Sequence, residues 1–389
     1  MSKKIKIAIY SGDIPSTTFI ERLIKGLANK GVQIYLFGFI KSKMGYEKNV
    51  SIFGYRNTKI SKVWHLLKFS VLLFLFKNKD KSKLDKMLKD KSNKPLIARV
   101  KYYPVLYYSP DVFHLQWAKG IDEWLWVKEF GIKLVLSLRG AHINYSPLAD
   151  KRLTNIYKTN FPKVDAFHAV SKAISLEAQK YDAPKEKINV VYSGISLDTF
   201  INKYEKQNNV FRIVSIGRPH WKKGYNYALN AIKILKDKNI EFKYVIVGGK
   251  KNIELAYQIK DLGLEENITL LNQLAFKDVV NQMQSSDLLL LPSVEEGIAN
   301  VVLEAMALKT LVVTTDCGGM NEVITNNYNG FLVPIRDPEA IAKTIEYVIT
   351  LANDDKENIV KNALETINKN HNEQLMVDNM MNIYTKLFS

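Results

Sequence analysis

The sequence predicts an α/β fold with two doubly wound parallel-sheet domains, and three observations carry that prediction. At 389 residues, 47% of them hydrophobic, the chain exceeds a single typical domain and can supply more than one core. Short apolar runs alternate with helical patterns, as a parallel sheet requires. That alternation starts afresh after the polar stretch 202–209, which reads as a linker.

In chain order, residues 5–10 read as the first strand, Ser11-Gly12-Asp13 as a turn, 19–30 as a helix and 33–37 as a returning strand. Residues 112–115, 133–138 and 164–170 read as further buried strands. The second half repeats the pattern with strands at 211–216, 244–247, 268–271, 288–291 and 311–314. No repeat of 20 to 50 residues is evident.

Two glutamates eight positions apart, Glu296 and Glu304, follow the run 288–291. The first sits in a loop and the second inside the helix that opens there, so at about 1.5 Å of rise per residue their carboxylates lie roughly 10 Å apart. That span suits the sugar and ribose ends of one nucleotide-sugar donor. Carboxylates alone repel a diphosphate, so such a site needs cations nearby. Arg218 and Lys223 supply them: the strand 211–216 ends at Gly217, and both cations stand at its carboxyl end, where open α/β sheets bind ligands. Arginine offers phosphate oxygens a planar fork and lysine a point charge, and fixed cations stabilise a departing diphosphate with little reorganisation. Taken alone, each reads as an ordinary surface charge at a strand-to-helix turn; the glutamate pair favours the site. Gly297 permits close backbone approach, and the backbone from Gly297 through Ile298, Ala299, Asn300 and Val301 offers N–H groups that a helix start leaves unpaired, which makes these residues donor-binding candidates.

The formal charge of +17 is uneven, because residues 59–101 carry 13 Lys or Arg against 3 Asp. This segment pairs Trp64, Leu67, Val71 and Leu75 with a lysine-rich helix whose Leu84, Met87 and Leu88 form one stripe. The combination suits an anionic bilayer surface, where each basic residue contributes about 1 kcal/mol before screening. Nucleic acid is not expected as a partner, since 48 of the 56 basic residues are lysine and no base-reading motif is present. Residues 63–76 are the most lipid-like stretch, yet with His65 and Lys68 they fall short of the ~20 apolar residues of a spanning helix. The basic start meets Gly12 and Asp13 too soon for a signal peptide. The one cysteine, Cys317, excludes an intrachain disulfide and reads as a buried small residue in a reducing compartment. The expected location is cytoplasmic, peripheral on the inner face of the plasma membrane. With no Asp-x-Asp pair and no spaced His/Cys cluster, no metal or other cofactor is expected. Tyr102, Tyr103, Tyr107, Tyr108, Trp117, Trp124 and Trp126 are candidates for an acceptor groove, although core or membrane-edge packing is the favoured reading for most.

These motifs resemble the retaining glycosyltransferases of family four, the glycosyltransferase group 1. The match rests on Gly217-Arg218 with four residues before Lys223-Gly224, on Glu296 and Glu304 with seven between, and on Val170-Ser171-Lys172, Ser193-Gly194-Ile195, Gly318-Gly319-Met320-Asn321-Glu322 and Asn329-Gly330. Ile14-Pro15-Ser16-Thr17-Thr18-Phe19-Ile20 is similar to a loop of members that build exopolysaccharide and colanic-acid-type polymers. The resemblance covers nearly the whole chain and is weakest over 45–110. It implies the GT-B fold, two Rossmann-like doubly wound domains facing a central cleft. Residues 1–203 would form the acceptor-side domain with its basic insert at about 59–101, 204–373 the nucleotide-sugar domain, and 374–389 a helix crossing back to the first. By the same resemblance, Glu304 accepts hydrogen bonds from the ribose, Glu296 holds donor-sugar hydroxyls, and Gly12 with Asp13 places a glycine turn close to the diphosphate.

The pattern is broken at one place. Arg139 stands where many relatives have a histidine, and His142 where many have an acid, at a position associated with the donor sugar. Both are catalytic candidates, His142 as a substitute base. Gly248-Gly249-Lys250 and Asn272 depart from the family pattern as well. The expected function is metal-independent retaining transfer of a hexose from a UDP- or GDP-sugar to a growing, lipid-linked cell-surface glycan. A GT-B fold sugar-nucleotide epimerase and a catalytically silent glycan-assembly scaffold are the alternatives.

Overall fold

The structure, a computed structural model, describes residues 5–91, 95–196 and 210–389. The stretch 202–209, read as a linker, lies outside the described residues, as do residues 1–4 and 92–94 of the basic segment. The chain forms two compact units, one of Met1–Val170, Ser175–Val191 and Met376–Ser389, the other of Ser171–Ile174 and Tyr192–Leu375.

The first unit is built on a seven-stranded parallel sheet of order β3-β2-β1-β4-β5-β6-β7. Its strands are β1 (Lys6–Ile14), β2 (Gln33–Ile40), β3 (Val50–Tyr55), β4 (Val112–Leu115), β5 (Lys133–Leu138), β6 (Ala166–Ala169) and β7 (Ile188–Val190). Helix α1 (Thr18–Asn29) connects β1 to β2, while α2 (Lys59–Phe76), α3 (Asn78–Lys91) and α4 (Pro95–Tyr108) fill the connection from β3 to β4. β1 does not turn at Ser11-Gly12-Asp13, as the sequence suggests, but runs on to Ile14. The β1–β2 register slips between Ile9 and Gly12, and Gly12, at φ +92°, takes the bulge that lets pairing resume opposite Gly38. A Cβ on Gly38 would lie 2.5 Å from the Gly12 carbonyl oxygen, so this close pairing of the two strands requires glycine at position 38. The final helix, Glu373–Lys386, contributes Met376, Met380 and Tyr384 to the cluster formed by Ile7, Ile9, Leu36, Val112 and Val135.

The second unit has a six-stranded parallel sheet of order β10-β9-β8-β11-β12-β13. Its strands are β8 (Phe211–Ile216), β9 (Phe242–Val247), β10 (Ile268–Leu271), β11 (Leu288–Leu291), β12 (Leu311–Thr315) and β13 (Phe331–Val333). Helices cover both faces. Ala228, Ile232, Leu235 and Ile345 pack with Tyr244 on one side, and Val302, Met306 and Ile367 pack with Val214 and Leu289 on the other. Hence β11 reads Leu-Leu-Leu-Leu with every residue buried, the continuous apolar run of a strand covered on two faces. Both units therefore have the doubly wound α/β form read from the sequence.

The basic segment departs from expectation in one respect. Leu84 and Leu88 of α3 are buried, so the stripe expected at a bilayer surface belongs to the core of the unit. Tyr102, Tyr103, Trp124 and Trp126 are buried as well, with the Trp124 ring 4.5 Å from Phe113 and 5.0 Å from Tyr102.

Candidate functional site

In the second unit β8 and β11 are adjacent and parallel, so the loops leaving their carboxyl ends meet. The first loop carries Gly217, Arg218 and the short 3₁₀ turn Trp221–Lys223; the second carries Ser293 to Ala299 and leads into the helix Asn300–Ala307. A backbone hydrogen bond from Val294 N to Lys222 O, 2.7 Å long, ties them. Gly224 permits this approach: at φ +64° it comes so near that a Cβ would lie 1.9 Å from the Pro292 oxygen.

Glu296 is the centre of the arrangement and is only 7% exposed. Its Oε1 accepts a 2.6 Å hydrogen bond from Lys223 Nζ and a 3.1 Å bond from Ser293 Oγ, with Lys222 Nζ 3.7 Å from Oε2. Burial pushes this carboxyl up. The charges of Lys223 and then Lys222, with the hydrogen bonds from Lys223 and Ser293, more than offset it and hold the group below the usual glutamate range. The sequence reading assigned Glu296 to the donor sugar and Lys223 to the diphosphate; in the structure the two side chains are in contact. A third loop fixes the carboxylate from behind, because Gly318 and Gly319 press on the Glu296-Gly297 backbone. Gly319 N donates 2.8 Å to Gly297 O, and a Cβ on Gly318 would lie 1.8 Å from Glu296 O. Cys317 beside them is buried, which drives its thiol up to about 12, away from nucleophilic form.

Arg218 is exposed, and among the described residues no carboxylate stands within ion-pair distance of it. Gly217, whose Cβ would sit 3.2 Å from Lys223 Cε, keeps the lysine close to the chain. Glu304 is half-buried on the helix Asn300–Ala307, among buried Val302, Leu303 and Ala305. No side chain caps the start of that helix at Ala299, so the N–H groups of Asn300 and Val301 keep donor capacity, while those of Val302 and Leu303 donate to Ala299 O; Ile298 is buried behind them, and Asn300 Oδ1 is buried without a partner.

In the first unit Asp13 pairs with Lys41 at 2.8 Å on the surface, and Gly12 forms the bulge of β1. Arg139, one residue past β5, donates from Nη2 to Gln116 Oε1 at 3.2 Å, and its guanidinium lies 4.5 Å from the Phe19 ring centroid. Its Nε is buried without a partner, as is Gln116 Nε2, and burial lowers the guanidinium to about 9. The His142 ring lies 5.3 Å from Trp117, its Nδ1 is unpartnered, and burial, then Lys119, lowers it to about 4, so it is neutral at pH 7. Phe19, 6.1 Å from Trp117, links the two candidates. Behind them runs a buried chain in which His114 meets Tyr384 OH at 2.7 Å and Ser137 Oγ at 2.8 Å, and Ser137 meets His168 at 2.9 Å.

The structure thus joins Lys223 to Glu296 and sets Arg139 and His142 around one aromatic pair. Sequence reasoning missed Ser293, Lys222 and Gln116. Ser293 stands three positions before Glu296 at the end of a strand, a spacing that could have flagged it; Gln116 carried no comparable sign.

A family model described as Glycosyl transferases group 1 matches residues 197–366, and one described as Glycosyltransferase Family 4 matches residues 16–199. The chain belongs to this glycosyltransferase family. AmsK of Erwinia amylovora, an amylovoran biosynthesis glycosyltransferase, is 32% identical over 54% of this chain and 53% of its own length. WcaL of Escherichia coli K12, named for colanic acid biosynthesis, is 29% identical over 57% of this chain and 56% of its own. The match therefore spans little more than half of these curated relatives. Among solved structures, Anabaena Alr3699/HepE in complex with UDP and glucose superimposes with a TM-score of 0.74 over 98% of this chain and 100% of that one. At 18% identity that likeness shows the fold of this family member, GT-B.

Proposed function

We propose that this family member is a retaining glycosyltransferase that moves a hexose from a UDP- or GDP-sugar to a growing, lipid-linked cell-surface glycan without a metal. The observation that carries the reading is the pairing of half-buried Lys223 with buried Glu296, in the loops that also carry exposed Arg218, at the carboxyl end of a parallel sheet. Arg218 offers its fork to the diphosphate and Lys223 a second charge, while Glu296, kept ionised, accepts from donor-sugar hydroxyls with help from the amides after Gly297. Glu304 accepts from the ribose. The bond from the anomeric carbon to the diphosphate oxygen breaks and its electron pair leaves with the diphosphate. The acceptor oxygen bonds to the same face of the sugar, and its proton passes to the leaving phosphate. His142, neutral with Nδ1 unpartnered, is the alternative proton acceptor, and Arg139 is assigned to the donor-sugar side of the reaction. A lipid-linked acceptor places the work at an anionic membrane surface, which the charge of residues 59–101 supports.

Incubation with a panel of UDP- and GDP-sugars tests the reading. A transferase slowly releases free sugar from its own donor and stabilises the chain by about 2.7 kcal/mol when that donor is present at ~100 times its Kd. An isomeric nucleotide sugar would instead establish the epimerase, and neither release nor stabilisation by any donor would leave the scaffold.

A further inference from the structure

Helix α2 carries apolar side chains on two opposite sides, yet the described residues cover only one of them. Phe69 and Leu73 face inward and are buried, with the Phe69 ring 6.0 Å from both Tyr107 and Tyr108 of α4. On the opposite side Ile60, Trp64, Leu67, Val71, Phe74 and Leu75 are each between 52% and 72% exposed. Their spacing, with steps of three and four, makes one continuous stripe about 22 Å long at ~1.5 Å per residue. Single exposed apolar residues are ordinary, but a stripe of this length that none of the described residues covers marks a contact surface.

We propose that α2 is an interfacial anchor that lays this stripe into the headgroup and acyl boundary of an anionic bilayer, parallel to its plane. The inference rests on the membrane-surface reading above and names the element that makes the contact. The charge pattern selects the occupant. α2 contains no Asp or Glu, and Lys59 and Lys68 beside the stripe are exposed, as are Lys79, Lys83, Lys86 and Lys89 on the following helix. A second copy of this chain seated stripe to stripe would bring these lysines against their own copies, and like charges oppose that pairing. Anionic headgroups take the same lysines while the acyl boundary takes the apolar side chains. No described helix is long and apolar enough to cross a membrane, so the in-plane orientation is the one available to α2. The structure also divides the labour within the basic segment: the leucines of α3 serve the core, leaving α3 to supply charge and α2 to supply apolar contact.

Flotation of the full chain with vesicles of phosphatidylcholine and phosphatidylglycerol tests this, in low salt and in about 1 M salt, where charge is screened within ~3 Å. Two variants accompany the wild type, Trp64→Gln with Leu67→Gln and Leu75→Gln, and Lys79→Gln with Lys83→Gln; all five positions are exposed, and thermal melting checks that the fold is kept. Wild type is expected to float in both salts. The apolar triple variant should lose at least tenfold in bound fraction in both, with vesicle-free donor hydrolysis unchanged, while the lysine variant should lose binding chiefly in low salt. Equal flotation of triple variant and wild type overturns the anchor. So does a wild-type dimer in light scattering that the triple variant turns into a monomer. Failure of the wild type to float while it still releases sugar overturns the anchor and leaves the transferase reading standing. Flotation without any donor turnover does the reverse.

Discussion

Each unit holds a cation in a poorly hydrated place, and the two units treat it differently. In the second, Lys223 meets the buried carboxylate of Glu296 at 2.6 Å, and three loops fix both partners. In the first, Arg139 has a neutral amide and an aromatic face for company, a buried Nε with no acceptor, and, among the described residues, no carboxylate within ion-pair distance. A buried charge without a counter-charge costs stability, so it is tolerated where something from outside the chain completes it. The second unit is finished by its own residues; in the first, Arg139 Nε and Gln116 Nε2 stay buried without a partner.

The largest effect should come from disturbing the finished site. Gly318→Ala puts a methyl 1.8 Å from the Glu296 carbonyl at φ +56°, and the loop cannot yield without losing the carboxylate. A loss of at least ~3 kcal/mol in chemical denaturation, with loss of donor binding, is expected. Gly12→Ala in the first unit has the same handedness problem but open space around it, and should cost only about 1–2 kcal/mol. Similar losses for the two would break the contrast.

Removing the cations sharpens it further. Lys223→Met leaves buried Glu296 with only Ser293 and the more distant Lys222, and should cost about 3 kcal/mol, most of it recovered in the double variant Lys223→Met with Glu296→Gln. Arg139→Met removes a charge that nothing in the chain balances, and the unfolding midpoint should move by no more than ~1 kcal/mol in equivalent free energy. Equal destabilisation by the two substitutions would mean that Arg139 is paired as firmly as Lys223.

Much of the fold was legible in the sequence, because buried parallel strands leave uninterrupted apolar runs such as residues 288–291. Less was legible where a strand lies at a sheet edge or carries a bulge. β3, with Gly54 in its Val-Ser-Ile-Phe-Gly-Tyr run, is half-exposed and gave no clear alternation, and Ser11-Gly12-Asp13 has turn chemistry although β1 passes through it. For the candidate site, the residue types and the strand ends were readable. The contact of Glu296 with Lys223 was not, since 73 positions separate them and only the adjacency of β8 and β11 brings their loops together. The α3 leucines show the same limit, because a stripe at helical spacing does not say whether core or surface lies opposite.

The central claim is that the second unit holds a nucleotide sugar through Arg218, Glu304 and the Lys223–Glu296 pair. Calorimetric titration of the donor identified by the sugar panel into wild type, Glu304→Gln and Arg218→Ala, with turnover measured on the same samples, tests it most directly. The expected result is at least tenfold weaker binding for Glu304→Gln, about 1.4 kcal/mol, and for Arg218→Ala a turnover that falls more than the affinity does. Wild-type affinity and turnover in both variants would contradict it.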